Sequence, residues 1–244
     1  MGDPTVRQLR ERAGATPAGA LSFQILMWDF EPPQYSTWVD LVEGAMMYQI
    51  NKVAEKRHHL KDLGEDSLTT VVELALDNLG LNCSAKAVNG NVDLVVEWRG
   101  FKWLGEAKIA ADLQKIFHGY QQLTSRYATG QPGQTAGGLL LYCKHDSATV
   151  IMDGWRAALR HEIPGANIQD GPVPLSFRSD DRRNGSGQMI SIVHLAFPLY
   201  HVPEEDTWTL SKDAINAGRN ARKATKKRIA KAAIAANDDS KAAN

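Results

Sequence analysis

The stretch NVDLVVEWRGFKWLGEAKI, residues 91–109, limits the fold more than any other part of this chain. Two runs rich in Val, Leu, Trp and Phe flank Arg99-Gly100, and glycine takes the positive φ that a two-residue hairpin turn needs. A turn at these residues sets Trp98 opposite Phe101 and Glu97 opposite Lys102, an aromatic pair and an opposite-charge pair that both favour the register. The same register brings Asp93 opposite Glu106, with Cβ atoms roughly 4.5–5.5 Å apart. Lys108 projects from the Glu106 face. The other face (Val92, Leu94, Val96, Trp98, Phe101, Trp103, Ala107) is almost wholly apolar and reads as the core side.

Carboxylates facing each other on a stiff sheet repel, so the pattern demands compensation. An ion pair from Lys108 is the purely structural explanation, but a single ammonium leaves one carboxylate unbalanced. A divalent cation balances both. Hard oxygen ligands suit Mg2+ or Mn2+, which keep several waters and recruit phosphate oxygens. An ammonium beside such an ion can orient its water and stabilise charge on a reacting phosphate. The three side chains together point to metal-assisted phosphodiester hydrolysis.

Around this hairpin the periodicity predicts a helix over 38–59, a second over 65–79 ended by Gly80, and strands near 82–88, 91–98 and 101–109. A helix over 112–128 follows, then a loop and a buried strand over 138–144. ATVIM reads as a further strand, DGWRAALRHEI as a short helix, RSDDRRNGSGQ as a mobile loop and residues 189–199 as a strand. This order predicts an α/β (α+β) fold with a central mixed β-sheet flanked by helices. Residues 1–35 are expected to be a flexible arm, 36–210 the folded domain and 211–244 a basic tail, helical or disordered.

Asp93, a gap of twelve residues and Glu106-Ala107-Lys108 resemble the signature of the PD-(D/E)xK nuclease superfamily, with Val92 where a proline often stands. The resemblance covers roughly residues 63–145 and includes the order of elements α-βββ-α-β, a restriction-endonuclease-like core. It implies Asp93, Glu106 and the Ala107 carbonyl as ligands of Mg2+ (or Mn2+), and Lys108 as the catalytic lysine. Members often add an acid from the preceding helix. Glu65 lies within the apolar stripe of Leu68, Val72, Leu76 and Leu79 whereas Glu73 falls at its edge, so Glu65 is preferred. GYQQLTSRY (119–127) is similar to the Gln-Leu motif of RecB-type members and implies Gln122 as a site residue. Here Arg126 stands at the usual tyrosine spacing, and periodicity places Gln121, not Gln122, beside the apolar face.

The implied activity is a metal-dependent deoxyribonuclease, an endonuclease of restriction or anti-phage defence type. A RecB-like exonuclease or junction resolvase is the enzymatic alternative, and a non-catalytic nucleic-acid-binding or assembly subunit of a defence complex is the alternative of another class. The chain carries 28 Lys and Arg against 28 Asp and Glu, so only the distribution of charge is informative. Between Lys212 and Lys231 there are eight Lys or Arg and one acid. Arg222, Lys226 and Lys227 there, with Arg126 and Lys115 near Gln122, are candidate phosphate contacts to nucleic acid, with DNA the expected partner. The helix over 38–59 offers a surface for a homodimer or an activating partner. No apolar run reaches a membrane span, and MGDPTVRQLRER lacks a signal-peptide core, so a cytoplasmic protein without a membrane partner is expected. Cys83 and Cys143 show no CxxC spacing and suggest neither a disulfide framework nor structural zinc.

Overall fold

The computed structural model describes residues 5–87, 91–127, 129–145, 147–182, 186–201 and 209–242. The chain forms two units, Met1–His201 and Val202–Asn244. The first is built on a seven-stranded mixed sheet in the order β1-β2-β3-β4-β7-β6-β5. Its strands are β1 (Asn82–Ala87), β2 (Asn91–Trp98), β3 (Phe101–Ile109), β4 (Ala136–Cys143), β5 (Asn167–Asp170), β6 (Ser176–Asp181) and β7 (Ile190–Pro198). β1, β2 and β3 form an antiparallel meander, β3, β4 and β7 run parallel, and β6 and β5 return antiparallel.

The β2–β3 turn is the predicted one. Arg99 and Gly100 both have positive φ, 45° and 92°, the geometry of a type I′ turn, which matches the twist of the flanking strands. Trp98 pairs with Phe101 and Glu97 with Lys102, whose side chains form a 3.0 Å ion pair.

Helices cover both faces. On one side lie α3 (Tyr35–Glu55), the short α4 (Arg57–Leu60) and α5 (Glu65–Asp77), of which α3 and α5 bury Trp38, Val42, Met46, Leu68, Val72 and Leu76 against Leu94, Val96, Trp103 and Leu140. On the other lie α6 (Leu113–Gln121) and α7 (Ala148–Glu162), whose Ile116, Tyr120, Met152 and Trp155 pack on Val95, Leu104, Leu139 and Leu141. A sheet covered twice explains why β4 is buried along its whole length and reads as a continuous apolar run. Cys83 and Cys143 are buried free thiols.

Several expectations are corrected. Residues 6–13 and 17–27 are helices α1 and α2, not a flexible arm. Thr5 and Thr16 cap them, and Ile25 and the following Trp28 are buried in the core. ATVIM is no strand but the opening of α7, capped by Ser147, with Ala148, Met152, Trp155 and Leu159 inward at helical spacing. Its β-branched Thr149, Val150 and Ile151 obscured that spacing. The opening of RSDDRRNGSGQ is also not a loop: Arg178 to Asp181 belong to β6 (Ser176–Asp181), and residues 183–185 lie outside the described residues. The inward positions of β6 include Ser179 and Asp181, so hydrophobic alternation could not reveal it. Ser179 bonds His194 and Asp181 accepts from the Tyr120 hydroxyl. The apolar side of α3 is spent in the core.

The second unit contains α8 (Lys212–Ala242), and its residues 212–225 are exposed. Among the described residues no helix is long and apolar enough to cross a membrane.

A carboxylate cluster around Lys108

The site forms where β2 and β3 separate. Between Val92 and Val95 β2 contains one residue more than the facing part of β1, a β-bulge. The bulge turns Val92 to the opposite face from Leu94, among Val95 and Leu104, correcting its expected place on the core side. It also takes Asp93 out of register. The β2–β3 ladder ends at Leu94 and Gly105, so Asp93 and Glu106 are not cross-strand partners as the simple hairpin predicts. Instead Asp93 Oδ2 accepts the Ala107 backbone N–H at 2.9 Å, replacing the lost ladder bond.

The carboxylates meet on Lys108. Its Nζ lies 2.6 Å from Glu106 Oε1, 3.3 Å from Glu65 Oε1 and 3.7 Å from Asp93 Oδ2. Glu65 Oε2 also accepts the Ile109 N–H at 2.7 Å. The first turn of α5 thus completes the edge of β3. A backbone bond and an ion pair together distinguish Glu65 from Glu73, which joins no ion pair at this cluster.

A buried chain of hydroxyls holds Glu65 in place. Thr69 Oγ1 donates to the Glu65 carbonyl at 2.9 Å and lies 3.1 Å from the Tyr142 hydroxyl. With the threonine proton committed to the carbonyl, tyrosine is the donor to threonine. Lys144, just past β4, donates to the Leu63 carbonyl at 2.7 Å and ties the approach to α5 to the same edge of the sheet.

Electrostatically the cluster is under-compensated. With all three acids ionised, one ammonium leaves two negative charges. Glu106 is only 1% exposed, and its Oε2 has no hydrogen-bond partner. Burial, opposed by the Lys108 hydrogen bond and reinforced by Asp93, pushes its pKa up to about 7. Asp93 is raised as well, chiefly by burial. For Lys108 burial acts to lower the pKa, but the Glu106 bond and the three acids outweigh it and raise the value, keeping the amine charged.

On the other side α6 faces Lys108 through Gly119. A Cβ there would sit 2.8 Å from Lys108 Cγ and 3.1 Å from Cε, so the bare glycine makes room for the lysine stem. Gln122 is three residues on and shares this side of the helix. From Gln122 to Tyr127 the helix widens into a π-helical segment. Gln122 Oε1 is buried without a partner, whereas Gln121 is exposed. The buried face is centred on Ile116, Gly119, Tyr120 and Leu123, with Leu113 exposed, which moves it away from Gln121.

Lys115 lies at the start of α6, 4.0 Å from Asp112. The side chains of Arg126 and Lys226 lie outside the described residues. Arg222 and Lys227 are exposed on α8, in the second unit.

Among the described residues no three His, Cys, Asp or Glu side chains are grouped to hold a metal on their own. Mg2+ needs fewer protein ligands than that, commonly one or two carboxylates completed by water and phosphate oxygens. Asp93, Glu106 and the Ala107 carbonyl offer oxygen donors of this class, and Glu106 Oε2 is a buried acceptor without a hydrogen-bond partner. No family model matches the chain, nor does any curated protein or solved structure.

Proposed function

We propose that the Lys108 cluster is the active site of a metal-dependent nuclease with a restriction-endonuclease-like core of the PD-(D/E)xK type. The observation that carries the reading is the excess of carboxylate over ammonium in the cluster, with the buried Glu106 Oε2 left without a partner. Asp93, Glu106 and the Ala107 carbonyl would hold Mg2+ or Mn2+, with Glu65 as the further acid. When bound, such an ion lowers the pKa of a coordinated water and offsets charge on phosphate oxygens.

The chain's own groups then have distinct tasks. Lys108 is kept protonated, so it acts as a hydrogen-bond donor that orients the attacking water and stabilises negative charge on the reacting phosphate. Glu65, clamped to the Ile109 N–H, and Glu106 set the ammonium's position. Gln122 presents a polar group from α6 toward the same side. The water oxygen bonds to phosphorus, the bond to the leaving oxygen breaks with its electron pair, the water proton passes to solvent or to a carboxylate, and the leaving oxygen takes a proton from solvent. DNA is the favoured substrate.

A non-catalytic nucleic-acid-binding or assembly protein is the second reading. The observation favouring it is that Lys108 already engages all three acids. To separate the readings, supercoiled plasmid, linear duplex DNA and RNA are incubated with the full chain in EDTA, Mg2+ and Mn2+. The enzyme predicts metal-dependent cutting of DNA: attack on closed circles marks an endonuclease, and attack on linear ends alone an exonuclease. Binding without cutting of any of the three supports the second reading.

A further inference from the structure

We infer that the segment Lys56–Lys61, with Lys144 and His201, forms the surface along which a polynucleotide backbone is held as it enters the Lys108 site; this rests on the nuclease reading above. The sequence there is KRHHLK, and the fold gives it a specific place. Because β3, β4 and β7 are parallel, their carboxyl ends lie along one edge of the sheet. Lys108 is at that end of β3, Lys144 directly follows β4, and His201 follows β7, whose Leu199 and Tyr200 N–H groups donate to the Cys143 carbonyl. Crevices outside the carboxyl ends of strands in open α/β sheets are where ligands generally bind.

The basic segment is fastened to this edge. Arg57 Nε donates to His201 Nδ1 at 3.4 Å, the His58 ring lies 6.4 Å from that of His201, and Lys144 bonds the Leu63 carbonyl. Lys61 precedes Glu65 by four residues, a reach of at most about 14 Å. The cations therefore begin within a few nucleotides of the carboxylates.

Their charges are also unspent. Lys56, Arg57 and Lys61 form no ion pair among the described residues, whereas Lys52, Arg99, Lys102 and Arg156 each have a carboxylate partner. Lys56, Arg57, His58 and His59 are all exposed. The acids nearby in sequence are Glu55, paired with Lys52, and the exposed Asp62 and Asp66. A row of free cations leading to an acidic, cation-seeking site suits a phosphate backbone: the row attracts the chain and the site takes one phosphate.

The test measures fluorescence anisotropy of the full chain on a short labelled DNA duplex in EDTA, across a salt series. Wild type is compared with the Lys56→Ala/Arg57→Ala/Lys61→Ala variant and with a charge-conserving Lys56→Arg/Arg57→Lys/Lys61→Arg variant. Losing three phosphate contacts should make the slope of log Kd against log salt shallower by about 2.7, at about 0.9 per contact. The charge-conserving variant should keep the wild-type slope, and the thermal midpoint should not move, since the side chains are at the surface. An unchanged slope in the alanine variant overturns the inference, as does absence of duplex binding by wild type. Weakened binding to anionic phosphatidylserine vesicles with DNA binding intact would overturn it in favour of a membrane. The nuclease reading fails separately. A wild type that cuts nothing, with the slope still shallower in the alanine variant, removes the enzyme and leaves the surface, whereas cutting with an unchanged slope removes the surface alone.

Discussion

Lys108 Nζ lies 2.6 Å from Glu106 Oε1, while the other oxygen of the same carboxylate, buried in the sheet, has no partner. A salt bridge serving stability alone would be expected to satisfy both oxygens, because a buried unpaired acceptor costs about 1–3 kcal/mol. The asymmetry therefore predicts how the protein responds to protons and to cations.

The first prediction concerns pH. The folded-state pKa of Glu106, about 7, exceeds its ordinary value of 4.5, so between these pH values the native state binds the proton more tightly than the unfolded chain. Stability contributed by this group is greatest below pH 4.5 and falls as pH rises toward 7, and Asp93 acts in the same direction. Lys108 does not offset the trend, because its raised pKa holds it protonated throughout this window. The metal-free protein should lose thermal midpoint between these pH values, and Glu106→Gln should flatten the profile. Mn2+ affinity should run the opposite way, improving about tenfold per pH unit below 7, because the ligand must be deprotonated. A wild-type stability curve identical to that of the glutamine variant would contradict this.

Gly119 should be a positioning residue for the lysine. Alanine is the better helix former by about 1 kcal/mol, so Gly119→Ala costs the helix nothing in itself. Its Cβ would nevertheless displace the Lys108 stem. Expected are retained Mn2+ binding and KM with kcat reduced about tenfold or more. A variant with wild-type kcat would show that the lysine accommodates the methyl group.

Tyr142→Phe removes the donor to Thr69 and should cost about 1 kcal/mol in denaturant unfolding. Since Thr69 holds the turn that carries Glu65, a larger fall in cleavage than in stability is expected. Rates and stability falling in equal measure would reduce the hydroxyl pair to a packing role.

On the far side of the sheet, Glu43 of α3 pairs with Arg178 of β6 and accepts from Trp103 Nε1 at 3.4 Å. Glu43 is buried and Arg178 only partly so, which limits the penalty of leaving the cation alone. Glu43→Ala should destabilise by about 3 kcal/mol, read from chemical denaturation, with metal affinity unchanged.

The hairpin, its register from Trp98 to Phe101 and the three charged residues could be read from the sequence because alternation and cross-strand pairing are local. The bulge that removes Asp93 from the ladder could not, since it depends on how β1 pairs with β2. The same holds for Gly119 and Leu123, whose burial moves the inward face of this helix away from Gln121. The strand β6 was hidden by inward Ser179 and Asp181, whose partners His194 and Tyr120 come from distant segments. Glu65 was legible as an acid on a buried stripe, but its bond to the Ile109 N–H belongs to tertiary structure.

The most direct measurement is nicking of supercoiled plasmid by wild type, Lys108→Ala and Asp93→Asn in Mg2+, Mn2+ and EDTA, with folding of each variant confirmed by thermal unfolding. The account predicts metal-dependent nicking by wild type, lowered at least about a hundredfold in both variants, with Mn2+ binding retained in Lys108→Ala and weakened in Asp93→Asn. Nicking at the wild-type rate in folded Lys108→Ala, or no binding of Mn2+ by wild type above pH 7, would contradict it.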